Sequence, residues 1–283
     1  MVSFFSFSTI ADEGMWLPQL LKTINESDMQ AQGLRLTAAD LYSVNNTSLK
    51  DAIVSLNGGS CTGEMISKEG LMLTNHHCAF DDIQEHSSIS NNYIKDGFWA
   101  MNHSEELQNK NLTASFLVSI EEVSTEILTE LSSDMTEAER ANKIRELSKK
   151  IIEEKTNDTH LNAQVKSFFG GNNFYLLTYE TFKDVRLVGA PPSSIGAFGG
   201  DTDNWMWPRH TGDFALYRIY CAPDGSPAEY SIKNIPYKPK HHLPIQLDGV
   251  ENGDYTMIFG YPGTTNRYLT SWGVQQALNI SNP

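Results

Sequence analysis

The sequence is poor in cysteine, in positive charge and in long apolar runs, and each shortage removes a class of protein. Its only cysteines are Cys61, Cys78 and Cys221. Three are too few for a disulfide-built scaffold, and none has the Cys-x-x-Cys spacing of a zinc ribbon. Lys and Arg number 21 against 35 Asp and Glu, a formal net charge of -14. That is the opposite of the basic surface that displaces counterions from phosphates, so no nucleic-acid partner is expected. The same field disfavours acidic peptides and mildly favours a substrate carrying an ammonium group. No apolar stretch approaches the ~18 to 20 residues that cross a bilayer, so no membrane span is expected. There is no internal repeat and no low-complexity tract. What remains is a chain of 283 residues, 40% hydrophobic, sized for one large or two small globular domains.

Val2 to Ile10 (VSFFSFSTI) is apolar and small and ends at Ala11, just before Asp12 and Glu13. It resembles the tail of a signal peptide without the basic n-region, and reads equally as a trimmed signal or a mis-assigned start. Residues 1–11 are set apart on that ground. Leu17, Leu20, Leu21 and Ile24 recur at helical spacing with Pro18 in a first turn, which predicts an N-terminal helical arm. From Ala52 the pattern becomes short β-type runs: AIVSL, CTGEMI, a turn at Ser67 to Gly70, then LMLT leading into His76 and His77. This is the start of a small antiparallel barrel.

The polar stretch 81–111 reads as a decorated loop, and 118–131 is ambiguous. Thr136 and Glu139 form a capping-box pair ahead of Ala141, Ile144, Leu147 and Ile151, predicting a helix of about five turns with a charged outer face. Strands are expected at 175–179, 185–188, 214–220 and 255–259, with a Gly- and Pro-rich loop over 189–200, the kind of segment that carries function. A further helix is expected from Trp272.

His76 and His77 stand at the end of a strand, where they read either as a catalytic base or as ordinary polar residues. Adjacent side chains of a strand point to opposite faces and no HExxH pair exists, which argues against a metal site. Asp213 follows a glycine turn and precedes the mainly apolar run FALYRIY. It reads either as the carboxylate that orients a base or as a turn aspartate capping its own backbone. Cys61 and Cys78 bracket the expected hairpin. They form the pair expected to be a disulfide if the protein is exported; otherwise all three cysteines are buried thiols.

His77 and Asp213, in that order, together with Asp12-Glu-Gly-Met-Trp16, Thr74-Asn-His-His-Cys78, Lys95-Asp-Gly-Phe98, the run from Gly200 to Asp213 (GDTDNWMWPRHTGD) and Tyr268-Leu-Thr-Ser-Trp-Gly273, carry a resemblance over nearly the whole chain. The sequence resembles the bacterial dipeptidyl-peptidase 7 and 11 family of chymotrypsin-like serine exopeptidases. The resemblance implies a mainly β fold with helical decorations, the first β-barrel of a double-barrel peptidase. It makes His77 the general base, Asp213 its orienter and Cys61–Cys78 a disulfide behind the base. Such enzymes remove dipeptides from the free N-terminus of oligopeptides, and the resemblance places the substrate's α-ammonium group at Asn204 and Trp205. An ammonium donates three hydrogen bonds and favours oxygen acceptors and aromatic faces, which these side chains offer; the plain alternative is a tryptophan-packed loop. Ala79-Phe80 departs from the Gly-Tyr of many relatives beside the base.

The family's nucleophile is a serine in a Gly-x-Ser-Gly-like turn, and these 283 residues contain no such turn. Ser60, Ser194 and Ser226 are flanked by glycine or proline but lack the expected surroundings. The expected organisation is a signal remnant over 1–11, the barrel part with helical insertions over 12–275, and the start of a separate helical domain over 276–283. The expected function is half the site of a serine-type dipeptidyl peptidase, inactive alone. No metal or other cofactor is expected, the location is periplasmic or secreted, and the full-length protein is a candidate homodimer. A non-catalytic peptide-binding module and a metal-dependent hydrolase using His76, His77 and Asp213 are the alternatives.

Overall fold

The computed structural model describes residues 15–200, 210–263 and 269–282. The signal remnant, Asn204 and Trp205 therefore lie outside the described residues. The helical arm forms in pieces: a 3-10 turn at Pro18–Leu20, with the proline at its first position, runs into α1 (Leu21–Ile24) and α2 (Glu26–Ala31). Thr37 and Asp40 cap α3 (Ala38–Leu41) reciprocally. Leu21, Leu34, Ala38 and Leu41 bury together as a cluster of the arm's own.

The expected hairpins then follow as β1 (Ile53–Leu56), β2 (Cys61–Met65) and β3 (Leu71–Thr74). Gly70, at φ +72°, makes the turn into β3, and a Cβ there would come within 2.6 Å of the Ile219 carbonyl oxygen, so only glycine lets the turn lie this close. Beyond β3 comes α4 (His76–His86), then α5 (Tyr93–Asp96), β4 (Phe98–Trp99) and β5 (Leu107–Asn109). The stretch 81–111 is therefore not the decorated loop the sequence suggested. Ala79 and Ile83, four apart and fully buried, are enough to seat a helix whose other faces are polar.

The ambiguous stretch resolves into β6 (Ala114–Glu122) and α6 (Ser124–Leu128). Next comes α7 (Glu137–Thr156), opened by the Thr136/Glu139 capping box. Its Ile144, Leu147 and Ile151 pack with Ala163 and Val165 of β7 (Leu161–Phe168), a strand the sequence reading passed over. Completing the order are β8 (Asn173–Phe182), β9 (Asp184–Ala190), α8 (Ser193–Gly196), β10 (Ala215–Cys221), β11 (Ile235–Pro236) and α9 (Ser271–Gln276). The strand expected over 255–259 does not form: no ladder takes up that stretch, and Ile258 is fully exposed.

Among the described residues all the ladders are antiparallel and join one eleven-stranded sheet, with the path β4-β9-β10-β3-β2-β1-β6-β8-β7 and, off that path, β5 on β9 and β11 on β10. Only Lys183 separates β8 from β9, and the two take different neighbours: β8 pairs with β6 and β7, β9 with β10, β4 and β5. They are in effect one strand bent at Lys183. The series β1-β2-β3-β10-β9 and the series β1-β6-β8 meet at that bend, enclosing Val54, Met65, Met72, Phe116, Leu187 and Tyr217. Each fully buried Leu, Met or Phe there contributes about 1.5–3 kcal/mol against the entropy of ordering the chain. β10 is fixed at mid-strand by an ion pair between Arg218 and the buried Glu106, 2.9 Å, and Tyr220 donates its phenol to the same carboxylate at 2.7 Å. Among the described residues no helix is long and apolar enough to cross a membrane.

Candidate active site

The first turn of α4 and Asp213, two residues before β10, meet at the end of the sheet. Asn75 occupies the N-cap position but its side chain caps nothing. The helix takes its cap from Asp213 instead: Oδ1 accepts the backbone N–H of His77 at 3.0 Å, while Oδ2 lies 2.7 Å from His77 Nδ1. Asn75 then donates its amide to Asp213, at 3.2 Å to Oδ2 and 3.2 Å to the backbone oxygen. A carboxylate at a helix N-terminus also meets the positive end of the helix dipole. Burial alone would raise the Asp213 pKa. The backbone and ring donors of His77, its charge and Asn75 outweigh that, and hold the carboxyl below its ordinary value. The His77 side chain stays 69% exposed, with the ring edge opposite Asp213 free to meet a reactant.

Four residues down the strand, Tyr217 ties the same two elements again by donating its buried phenol to Asp82 of α4. Burial, with the Asp82 charge, pushes that phenol far above its usual pKa, and burial raises Asp82. Next to His77, Cys78 of α4 forms a disulfide with Cys61 at the start of β2. The three positions Cys61, His77 and Cys78 have potential ligand atoms within 4.8 Å of one another. With the sulfurs joined to each other, they offer no thiolate to a metal.

His76 and His77 are the first two residues of a helix, not the end of a strand, and they diverge. His76 is 1% exposed, its ring turned inward beneath α8. Burial pushes its pKa below the ordinary histidine value, against the Asp213 charge. Nε2 is buried with no partner among the described residues. Trp99 of β4 lies over Gly189 and 6.1 Å from the Phe214 ring, an aromatic wall beside Asp213.

The structure thus brings together His77, Asp213, Cys61 and Cys78 among the residues singled out in the sequence. It adds Asn75 and Gly196, which sequence reasoning gave no role, and it buries His76, which the sequence offered beside His77 as a base or metal ligand. No serine hydroxyl hydrogen-bonds His77 among the described residues; Ser60 Oγ donates to the Leu56 carbonyl and Ser226 Oγ to Asp224.

A family profile described as Peptidase S46 matches residues 11–283. An Asp/Glu-specific dipeptidyl-peptidase of Flavobacterium psychrophilum is 51% identical over 280 residues, covering 99% of this chain and 39% of the relative. A dipeptidyl-peptidase 7 of Capnocytophaga gingivalis is 48% identical over 273 residues, covering 96% of this chain and 38% of the relative. The crystal structure of Porphyromonas endodontalis DPP11 with the dipeptide Arg-Asp superposes with a TM-score of 0.89 at 44% identity, over 96% of this chain and 40% of that one. The chain therefore spans about two fifths of the length of the relatives it matches.

Proposed function

This chain belongs to the peptidase S46 family, and on that premise we propose that it supplies the base and its orienter to a serine-type dipeptidyl peptidase that acts on the free N-terminus of oligopeptides. The observation that carries the reading is the two-point hold of Asp213 on His77, through the ring at 2.7 Å and the backbone at 3.0 Å. A carboxylate on Nδ1 keeps the proton on that nitrogen, leaving Nε2 as the acceptor that takes a nucleophile's proton and later returns it to the leaving amine. The negative carboxylate also stabilises the imidazolium formed between those steps. The meeting of the two ladder series at Lys183 supports a chymotrypsin-like barrel.

The nucleophilic serine and the oxyanion donors come, in this reading, from polypeptide outside these 283 residues, and the isolated chain is inactive. Exposed Leu247, Ile258, Trp272 and Ile280 offer an apolar surface for such polypeptide to cover. Asn204 and Trp205 hold the substrate's ammonium group, and its capture at a fixed distance from His77 limits cleavage to dipeptides. The Cys61–Cys78 disulfide favours an oxidising location, periplasmic or secreted. The test replaces the matching two fifths of the Flavobacterium psychrophilum relative by this chain. Dipeptide release from a chromogenic substrate, abolished by His77→Ala, is expected. A folded chimera without activity would sink the proposal, and binding without turnover would favour a peptide-binding module.

A further inference from the structure

α4 meets the rest of the fold along one stripe of its surface. His76, Ala79, Asp82, Ile83 and His86 recur three and four residues apart, and all are buried or half-buried. Ala79 and Ile83 join the core that also holds Ala215 and Tyr217 of β10. Apolar contacts of that kind have no direction, so by themselves they leave a helix free to turn in its seat. Asp82 is the carboxylate of the stripe. Burial raises its pKa, so a charge there works against the packing, and an apolar side chain would fill the place without that penalty.

Asp82 makes a directed bond instead. It accepts the phenol of Tyr217, a fully buried residue set between two ladders, opposite Met72 of β3 and Leu187 of β9. β9 has an extra residue, Val188, between the partners of Leu216 and Tyr217, and the Val188 carbonyl accepts the Ala100 N–H at 2.8 Å. A bulge of this kind bends its strand and re-aims the side chains beside it. On the other side of Tyr217, Arg218 pins β10 to Glu106 at 2.9 Å. The phenol is therefore the fixed end of the bond to Asp82, and the helix is the end that can move.

The chain entering β10 carries Asp213 four residues before Tyr217. α4 is thus tied twice to one stretch of backbone, His77 to Asp213 and Asp82 to Tyr217. A single contact lets a helix swing about it; a second one stops the swing. His77 and Asp82 are five residues apart, about 7.5 Å along the axis. A swing of about 8° around the Tyr217 contact would carry the His77 end by about 1 Å, a displacement that can cost about 10² in rate.

We propose that Asp82, held by Tyr217, is a positioning residue that fixes the angle of α4 and so keeps the His77 ring in register with Asp213. The inference rests on the reading of His77 as the base. Two other ties reach α4 from elsewhere: Cys78 is bonded to Cys61 of β2, and His86 Nε2 lies 2.9 Å from Asn109 Oδ1 of β5. Neither joins the helix to the strand that leads from Asp213, which makes the His86 contact the natural comparison.

The test compares Asp82→Ala, Asp82→Asn, Tyr217→Phe and His86→Ala with the wild-type chain. In the 283-residue chain two signals are followed, the downfield proton resonance of His77 Nδ1–H and the Asp213 carboxyl titration at Cγ. In the chimeric enzyme kcat and KM are measured separately. Asp82→Ala and Tyr217→Phe should shift the Nδ1–H resonance upfield and move the Asp213 titration upward, because the His77 donors that lower it loosen. They should lower kcat by about 10- to 100-fold and leave KM within about twofold. Asp82→Asn keeps an oxygen that accepts the phenol, so both signals should stay in place and kcat within about twofold. His86→Ala should lower stability and leave the two signals and kcat unchanged.

Either a wild-type Nδ1–H resonance or a wild-type kcat in Asp82→Ala would overturn the proposal. Losses in Asp82→Asn or His86→Ala equal to those in Asp82→Ala would overturn it too, since any loosening of α4 would then disturb His77. If Tyr217→Phe does not fold, the Asp82 variants decide. If the chimera carrying the wild-type chain is inactive, the reading of His77 as the base fails, and the two signals from the 283-residue chain decide the role of Asp82.

Discussion

Asp213 holds His77 twice, accepting from its backbone N–H at 3.0 Å and lying 2.7 Å from its ring Nδ1, so one carboxylate caps the helix and orients the His77 ring. The two duties can be separated. Asparagine ranks with aspartate as an N-cap, because its side-chain oxygen still accepts a backbone N–H. Asp213→Asn is therefore expected to cost less than about 1 kcal/mol in denaturant unfolding. In the chimeric enzyme it should lower kcat by about 10⁴, because an amide can impose the wrong tautomer and cannot stabilise the imidazolium. Asp213→Ala should lose both. Equal stability losses for the two variants would show that the carboxylate does not cap α4.

Asn75 acts on the base only through Asp213, to which its amide donates at 3.2 Å. Asn75→Ala removes one of the donors that hold the Asp213 carboxyl below its ordinary value, so the Asp213 titration is expected to move upward. Asn75→Asp should move it further, since a second negative charge beside the carboxylate disfavours its ionisation. A Cγ titration in the reverse order would remove Asn75 from the site.

The pH dependence of stability should show two steps from two neighbours. His76 has a folded pKa below the ordinary histidine value of 6.5. Below that pH the unfolded chain binds a proton that the folded chain does not, so stability falls as pH falls through the unfolded value. Asp213, also lowered, gives stability that is present above the ordinary aspartate value of 3.8 and lost as pH drops through the folded value. Thermal melts from pH 8 to pH 3 should therefore fall first below about pH 6.5 and again below about pH 3.8. His76→Gln should flatten the first step alone. A first step that survives in that variant belongs to another histidine.

Parts of this were written in the sequence and parts could not be. β1, β2, β3 and β10 were legible because their apolar runs are bounded by turn residues, and α7 because Thr136 and Glu139 announce its start. α4 was missed because Ala79 and Ile83 are its only buried apolar residues, and its polar residues imitate a loop. β7 left a signal that went unread: Leu161, Ala163 and Val165 alternate with Asn162, Gln164 and Lys166, a period of two on the side packed by α7. The stretch 255–259 shows the opposite failure, since β-type composition makes no strand without a partner strand laid beside it. His77 and Asp213 could be paired from motif order, and the structure places them in contact. The role of Asn75 and the burial of His76 could not, because both depend on contacts with residues more than 100 positions away.

The disulfide carries the last expectation. Cys78 is the next residue after His77, and its bond to Cys61 spans 17 residues. A cross-link closing a loop of about that length restricts the unfolded chain by about 3 kcal/mol, with measured effects commonly 2–4. Reduction, or the paired change Cys61→Ala/Cys78→Ala, should therefore lower stability by about that amount in denaturant unfolding. Cys221 is a buried free thiol whose pKa burial raises, so it should not react under the same treatment or form a replacement bridge. The base should loosen along with the fold. In α4 the residue before the cross-link is the one whose ring meets Asp213, so reduction should weaken the His77–Asp213 contact before the sheet melts. Faster exchange of the His77 amide, at reductant levels that leave the β2 and β6 amides protected, would show that order. Simultaneous loss of protection at all of them would mean that the disulfide supports only the fold.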